Sequence, residues 1–126
     1  MKVLLYEKMN EAGIKLLRRH AEVSIAPGTT QEHILTCVGD VDGIIIRANG
    51  AASARIMDYA PRLKVIGRHG VGVDNVDVAA ATERGIWVVN TPQANREAVA
   101  EHTVALMLTL AKRMRDAFEG CVQAKA

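Results

Sequence analysis

From Lys2 to Asn90 the chain alternates short apolar runs with stretches of helical periodicity. KVLLY (2–6) is a continuous apolar run, the pattern of a strand buried on both faces. AEVSIA (21–26), DGIIIR (42–47), LKVIGR (63–68) and IWVVN (86–90) repeat it. The intervening segments carry helix signals. Asn10 stands where it caps a helix with Ile14 and Leu17 on its apolar side and Arg18 and Arg19 at its end. Pro27-Gly28 turns the chain, and Thr29-x-x-Glu32 forms a capping box before HILTCV. Residues 52–60 read as a helix stopped by Pro61. Asn75 or Asp77 caps VAAATER, which Gly85 ends.

Five strand–helix repeats at this spacing predict a parallel sheet with right-handed crossovers and helices on both faces. The compact arrangement is α/β and flavodoxin-like, a five-stranded parallel sheet of order 2-1-3-4-5. After the fifth strand the pattern changes. Asn95 is placed to cap REAVAEHTVALMLTLAKRMRDAFEG, a long C-terminal helix of about 20 residues or more by its pattern. Its middle is apolar around most of its circumference, so it wants partners on two sides. The organisation expected is therefore a flavodoxin-like domain over 1–94 and a connecting helix over 95–126.

Composition narrows the function classes. Hydrophobic residues make up 49% and aromatics 3%, so the core is aliphatic. Sixteen basic and fourteen acidic residues leave a net charge of +2, too balanced to point to nucleic acid or a membrane surface. No stretch approaches the roughly 20 apolar residues of a membrane span, and the amino terminus is too short in apolar residues for a signal peptide. Cys37 and Cys121 are the only cysteines and lack metal-ligand spacing. A cytoplasmic setting with reduced thiols is expected.

The chemistry concentrates in RHGVGVDNVD (68–77), which suggests a dinucleotide fingerprint, G-x-G-x-x-G. Three features argue against it. The third glycine position is Asn75, the next strand ends in Asn90 rather than an acid, and the loop follows the fourth strand, not the first. Ligands of open parallel sheets collect beyond the carboxyl ends of the strands. There, Val71 and Gly72 can offer N–H groups to an anion, and Arg47 and Arg68, ending the third and fourth strands, reach the same edge. The same glycines also suit a plain tight turn, and the arginines suit solvated strand ends.

The segment RHGVGVDNVDVAAATERGIWVVNTPQANREAVAEHTVALML resembles the D-2-hydroxyacid dehydrogenase family, especially its phosphoglycerate-dehydrogenase-like branch. G-V-D-N-V-D, A-A-x-x-R-G-I-x-V-x-N-T-P and A-V-A-E-H-T occur in order. The resemblance implies a substrate-binding domain of flavodoxin-like fold, whose long helix leads into an NAD-binding domain. It assigns Val71 and Gly72 to the amides holding the carboxylate of a small 2-hydroxy or 2-oxo acid. Arg47 and Arg68 fall near a distal phosphate, and Val99 near the nicotinamide. Position 48, where the family often has a small hydroxyl residue, is Ala48 here. The family's own G-x-G-x-x-G loop, catalytic arginine, carboxylate and histidine have no counterpart in these 126 residues. The expectation is thus a truncated or excised substrate-binding domain, inactive alone and binding no cofactor itself, whose parent uses NAD.

Other groups have simpler explanations. His69 reads as a strand-end residue and His102 as structural, since adjacent helix positions such as Glu101-His102 diverge. Asp74 and Asp77 read as capping residues, Met107 and Met114 as packing residues. A signalling receiver needs paired acids after the first strand and an aspartate after the third; Tyr6-Glu7 and Arg47 stand there. A flavin module needs a hydroxyl- and glycine-rich loop where EKMNEAG stands, so a stand-alone anion-, flavin- or protein-binding module is the alternative. The apolar long helix can fold back as the fifth helix of the flavodoxin-like fold or extend and pack against a second copy; a homodimer is the expectation.

Overall fold

The computed structural model describes residues 1–123, which divide into two compact units between Pro92 and Gln93. In the first, strands β1 (Lys2–Leu5), β2 (Glu22–Ile25), β3 (Gly43–Ile46), β4 (Val65–Arg68) and β5 (Trp87–Val89) alternate with helices. These are α1 (Glu11–Arg18), α2 (Gln31–Leu35), α3 (Ala54–Asp58) and α4 (Val78–Glu83). All four strand pairings are parallel and the order is β2-β1-β3-β4-β5, as the pattern predicts.

Register explains which apolar residues meet. Leu4, Ile44 and Ile66 are neighbours across β1, β3 and β4, and all are buried on the face carrying α2, α3 and α4. Ile34, Val38, Ile56, Met57, Ala80 and Ala81 complete that core. The opposite face carries Val3 and Leu5, which pack with Ile14 of α1. The same register places Val65 beside Trp87 and Gly67 beside Val89 on the α1 face. There Trp87 is 75% and Val89 50% exposed. At the amino ends of the strands, Asp42 accepts the Lys2 N–H and two bonds from Arg62 Nη2. Those bonds hold its carboxyl below the usual range despite burial.

Caps follow the sequence with one shift. Asn10 Oδ1 accepts the Ala12 N–H, and Asp77, rather than Asn75, caps α4 through the Ala80 N–H. The cap of α2 is Thr30 instead of Thr29, because the helix starts one residue later. His33 then occupies the third helical position, and its ring meets Thr30 Oγ1 at 3.1 Å. Glu32 therefore closes no capping box.

The second unit corrects the expectation of one long helix. Helix α5 runs Arg96–Ala111, the chain turns at Lys112-Arg113, and α6 runs Met114–Gln123. Arg113 has φ 48°, a left-handed conformation that costs a non-glycine residue of order 1 kcal/mol. The apolar pattern changes at this point. Around α5, Val99, Val104, Leu106, Met107, Leu108 and Leu110 are exposed on several sides. In α6, Met114, Ala117, Phe118 and Cys121 follow the i, i+3, i+4, i+7 spacing of one stripe. Asn95 precedes α5 but makes no side-chain cap bond; its carbonyl accepts the Val99 N–H instead.

Candidate functional site at the carboxyl edge of the sheet

Two loops meet where β3 and β4 end, with Ile46 and Arg68 opposite each other in register. The loop after β3, residues 47–51, is bound at almost every residue. Glu7, just past the end of β1, accepts the Ala48 N–H at 3.0 Å and the Asn49 N–H at 3.2 Å on one carboxylate oxygen. Its other oxygen accepts Asn49 Nδ2 at 3.2 Å. From the far side, Asn75 Nδ2 donates to the carbonyls of Arg47 and Gly50. The Tyr6 hydroxyl donates to the Ala51 carbonyl at 3.4 Å, and Ala52 N–H to the Asn75 carbonyl. Gly50, at φ 81°, lies where an added Cβ would come 2.6 Å from the Thr29 carbonyl oxygen.

Electrostatics follow from those bonds. Partial burial raises the Glu7 carboxyl, but the bonds from Asn49 and Ala48 and the nearby Arg47 guanidinium prevail and hold it low. Glu7 is thus an anion whose charge is met mainly by backbone amides. Arg47 is exposed and makes no ion pair with a carboxylate among the described residues.

The loop after β4 is built in the opposite sense. The end of β5 holds its carbonyls: Thr91 N–H donates to Gly70 O at 3.0 Å and Asn90 Nδ2 to Val71 O at 2.6 Å. A trans peptide places its N–H opposite its C=O. The two bonds therefore turn the N–H groups of Val71 and Gly72 away from β5. Neither donates to a protein acceptor among the described residues. Val71 is 41% exposed.

Gly70 is needed here. At φ 154° it has a backbone that L side chains rarely adopt, and an added Cβ would fall on the Arg68 guanidinium. Arg68 curls over this glycine and donates from Nη1 to the His69 carbonyl at 3.2 Å. Its Nε is buried without a partner, a donor that folding has left unmet. The Asp74 carboxylate occupies the space beside Gly72. A shallow depression of about 210 Å³ continues from this edge along Met9, Ile45, Gly67, Val89 and Asn90.

The sequence-predicted residues thus divide. Val71, Gly72, Arg47 and Arg68 lie at one sheet edge. The N–H of Ala48 is committed to Glu7. Val99 stands in the first turns of α5, 54% exposed. Glu7, Asn75, Asn90 and Thr91 were not singled out as site residues by their sequence pattern. What could have found them is position: Asn90 directly follows β5 and Glu7 lies two residues past β1, both at the carboxyl ends of strands. The loop does not fit a dinucleotide pyrophosphate, because α4 begins only at Val78 and the Asn75 amide is already used within the fold. No group of three or more His, Cys, Asp or Glu suited to a metal occurs among the described residues.

Comparison with known proteins resolves the ancestry. The sequence matches the family described as D-isomer specific 2-hydroxyacid dehydrogenase, catalytic domain, over residues 3–126. The chain belongs to that family. It is 44% identical over 117 residues to a D-3-phosphoglycerate dehydrogenase of Methanocaldococcus jannaschii, covering 93% of this chain and 22% of that protein. A solved 2-hydroxyacid dehydrogenase from Ketogulonicigenium vulgare superposes with TM-score 0.82 at 30% identity, over 98% of this chain and 40% of that one. The NAD+-bound 3-phosphoglycerate dehydrogenase of Entamoeba histolytica gives TM-score 0.72 at 29% identity, over 86% and 38%. The chain spans about a fifth of the length of the curated relatives it matches.

Proposed function

We propose that this chain is the acid-holding part of an NAD-dependent D-2-hydroxyacid dehydrogenase of the 3-phosphoglycerate type. Val71 and Gly72 take the substrate carboxylate through their N–H groups, and Arg47 and Arg68 attract a distal phosphate. The observation that supports this most is the orientation of two consecutive peptides, fixed by Asn90 and Thr91, with both N–H groups left unpaired. Paired amides at a strand end suit a carboxylate, and guanidinium groups suit a phosphate. Arg68 Nε, buried beneath this edge without a partner, is a third unmet donor.

Hydride transfer needs a nicotinamide and a proton donor within reach of the substrate oxygen. Neither role is filled by the Gly70 loop, so these 126 residues bind the acid without oxidising it. Val99 is the position assigned to the nicotinamide side of the assembled enzyme. The apolar circumference of α5 is covered by a second copy of the chain. No helix among the described residues is long and apolar enough to cross a membrane.

Titration with 3-phosphoglycerate and with D-lactate, followed by amide chemical shifts, tests the reading. Both acids are expected to move Val71 and Gly72, and only the phosphorylated acid to move Arg47. Silence across residues 68–75 overturns the carboxylate cradle. Oxidation of either acid by the purified chain with NAD alone overturns the division of labour. Light scattering that finds only monomer at high concentration overturns the homodimer.

A further inference from the structure

The loop after β3 contains a second pair of amides that the proposed substrate does not use. Ala48 and Asn49 present consecutive N–H groups at the same sheet edge as Val71 and Gly72, and such a pair is itself a site for an anion. Here it is filled from within by the Glu7 carboxylate, at 3.0 and 3.2 Å.

Bonds that do not involve Glu7 also hold the loop. Asn75 fastens the carbonyls of Arg47 and Gly50, Tyr6 reaches Ala51, and Ala52 pairs with Asn75 and Val76. What Glu7 alone does is occupy the two amides. Its third bond, from Asn49 Nδ2, uses the remaining oxygen, so the carboxylate is spent on the loop and forms no ion pair with Arg47. A bound anion at this edge therefore meets closed amides and an open guanidinium.

We infer that Glu7 determines specificity: it plugs the Ala48–Asn49 amides against ligand anions and leaves Arg47 as the anchor for the distal group of the substrate. The part concerning substrate rests on the cradle proposed above; the plug itself does not. With the plug removed, small anions gain a second seat and the preference for an acid with a phosphate at fixed distance falls. Glutamine at this position keeps an oxygen that can accept both N–H groups, so it preserves the plug without the charge.

The test uses the full 126-residue chain and its Glu7→Ala and Glu7→Gln variants, each checked for an unchanged amide fingerprint away from residues 47–51. Inorganic phosphate and 3-phosphoglycerate are titrated separately. In the wild type, phosphate is expected to leave Ala48 and Asn49 unmoved. In Glu7→Ala it shifts both amides, with affinity there up at least fivefold, and the preference for 3-phosphoglycerate over phosphate drops by a similar factor. Glu7→Gln follows the wild type. A Glu7→Ala protein whose Ala48 and Asn49 ignore phosphate, or a Glu7→Gln protein that behaves like it in gaining the phosphate response, overturns the inference. If 3-phosphoglycerate fails to move Val71 and Gly72 in any variant while Glu7→Ala gains the phosphate response, the cradle falls and the plug stands.

Discussion

The loops after β3 and β4 have similar ingredients and opposite outcomes. Each follows a buried strand, each has an arginine at its start, and each contains a glycine that tolerates no Cβ. In the first, residues 47–51, the N–H groups of Ala48 and Asn49 are satisfied by Glu7 and the carbonyls of Arg47 and Gly50 by Asn75. In the second, residues 68–72, the carbonyls of Gly70 and Val71 are held, while the N–H groups of Val71 and Gly72 donate to no protein acceptor among the described residues. Glycines and strand-end position therefore do not make a binding site. What separates a site from a turn is which half of each peptide the fold has already satisfied, since an unmet buried or edge donor is where a ligand gains most.

The largest test of that contrast is Gly50→Ala against Gly72→Ala. At Gly50 the new Cβ meets the backbone oxygen of Thr29 at 2.6 Å on a left-handed backbone, so about 2–3 kcal/mol of stability is expected to be lost. At Gly72 it meets only the end of the Asp74 side chain, at 2.8 Å, rather than backbone, so less than about 1 kcal/mol is expected. Urea unfolding of both variants measures the difference; equal losses would mean that the first loop is not the more tightly determined of the two.

Next in size is Asn90→Ala, which frees the Val71 carbonyl and lets the Gly72 N–H turn. Affinity for either hydroxy acid is expected to drop about tenfold, roughly 1.4 kcal/mol, with little change at residues 47–51. Amide-detected titration reads both effects, and unchanged affinity would detach Asn90 from the cradle.

Acidification separates the loops by charge. Glu7 has a lowered pKa in the folded chain, so its contribution is complete above the ordinary carboxylate pKa of about 4.3 and is lost as pH falls through the lower folded value. Hydrogen exchange at Ala48 and Asn49 is expected to lose protection in that acid range relative to the pH-dependent intrinsic rate. The Asn90 bond to Val71 involves no titrating group and is expected to persist. The smallest effect is Asp74→Asn: removing a negative charge beside Gly72 is expected to tighten acid binding two- to threefold at low salt and less at high salt. Isothermal titration at two ionic strengths distinguishes this from a change in loop shape.

The legibility of this molecule follows sequence separation. The strands from Lys2–Leu5 to Trp87–Val89, the cap Asn10 and the α4 cap to within the pair Asn75 and Asp77 were readable because their signals lie within a few residues of one another. The break at Lys112-Arg113 was not, since no glycine or proline marks it and the change from all-round to one-sided apolarity spans several turns. Glu7 with Asn49, and Asn75 with Arg47, were hidden for a different reason: 42 and 28 positions separate the partners.

The order of apolar and polar residues by itself determined a parallel five-stranded sheet, its 2-1-3-4-5 sequence, and the placement of Arg47, Arg68, Val71 and Gly72 at one edge. Periodicity decides which faces must leave water, and short connections decide which strands lie together. Only the tertiary structure decided that the amides of Ala48 and Asn49 are closed and those of Val71 and Gly72 open. A peptide's orientation depends on which distant side chain reaches its carbonyl or its N–H, and no local pattern records that.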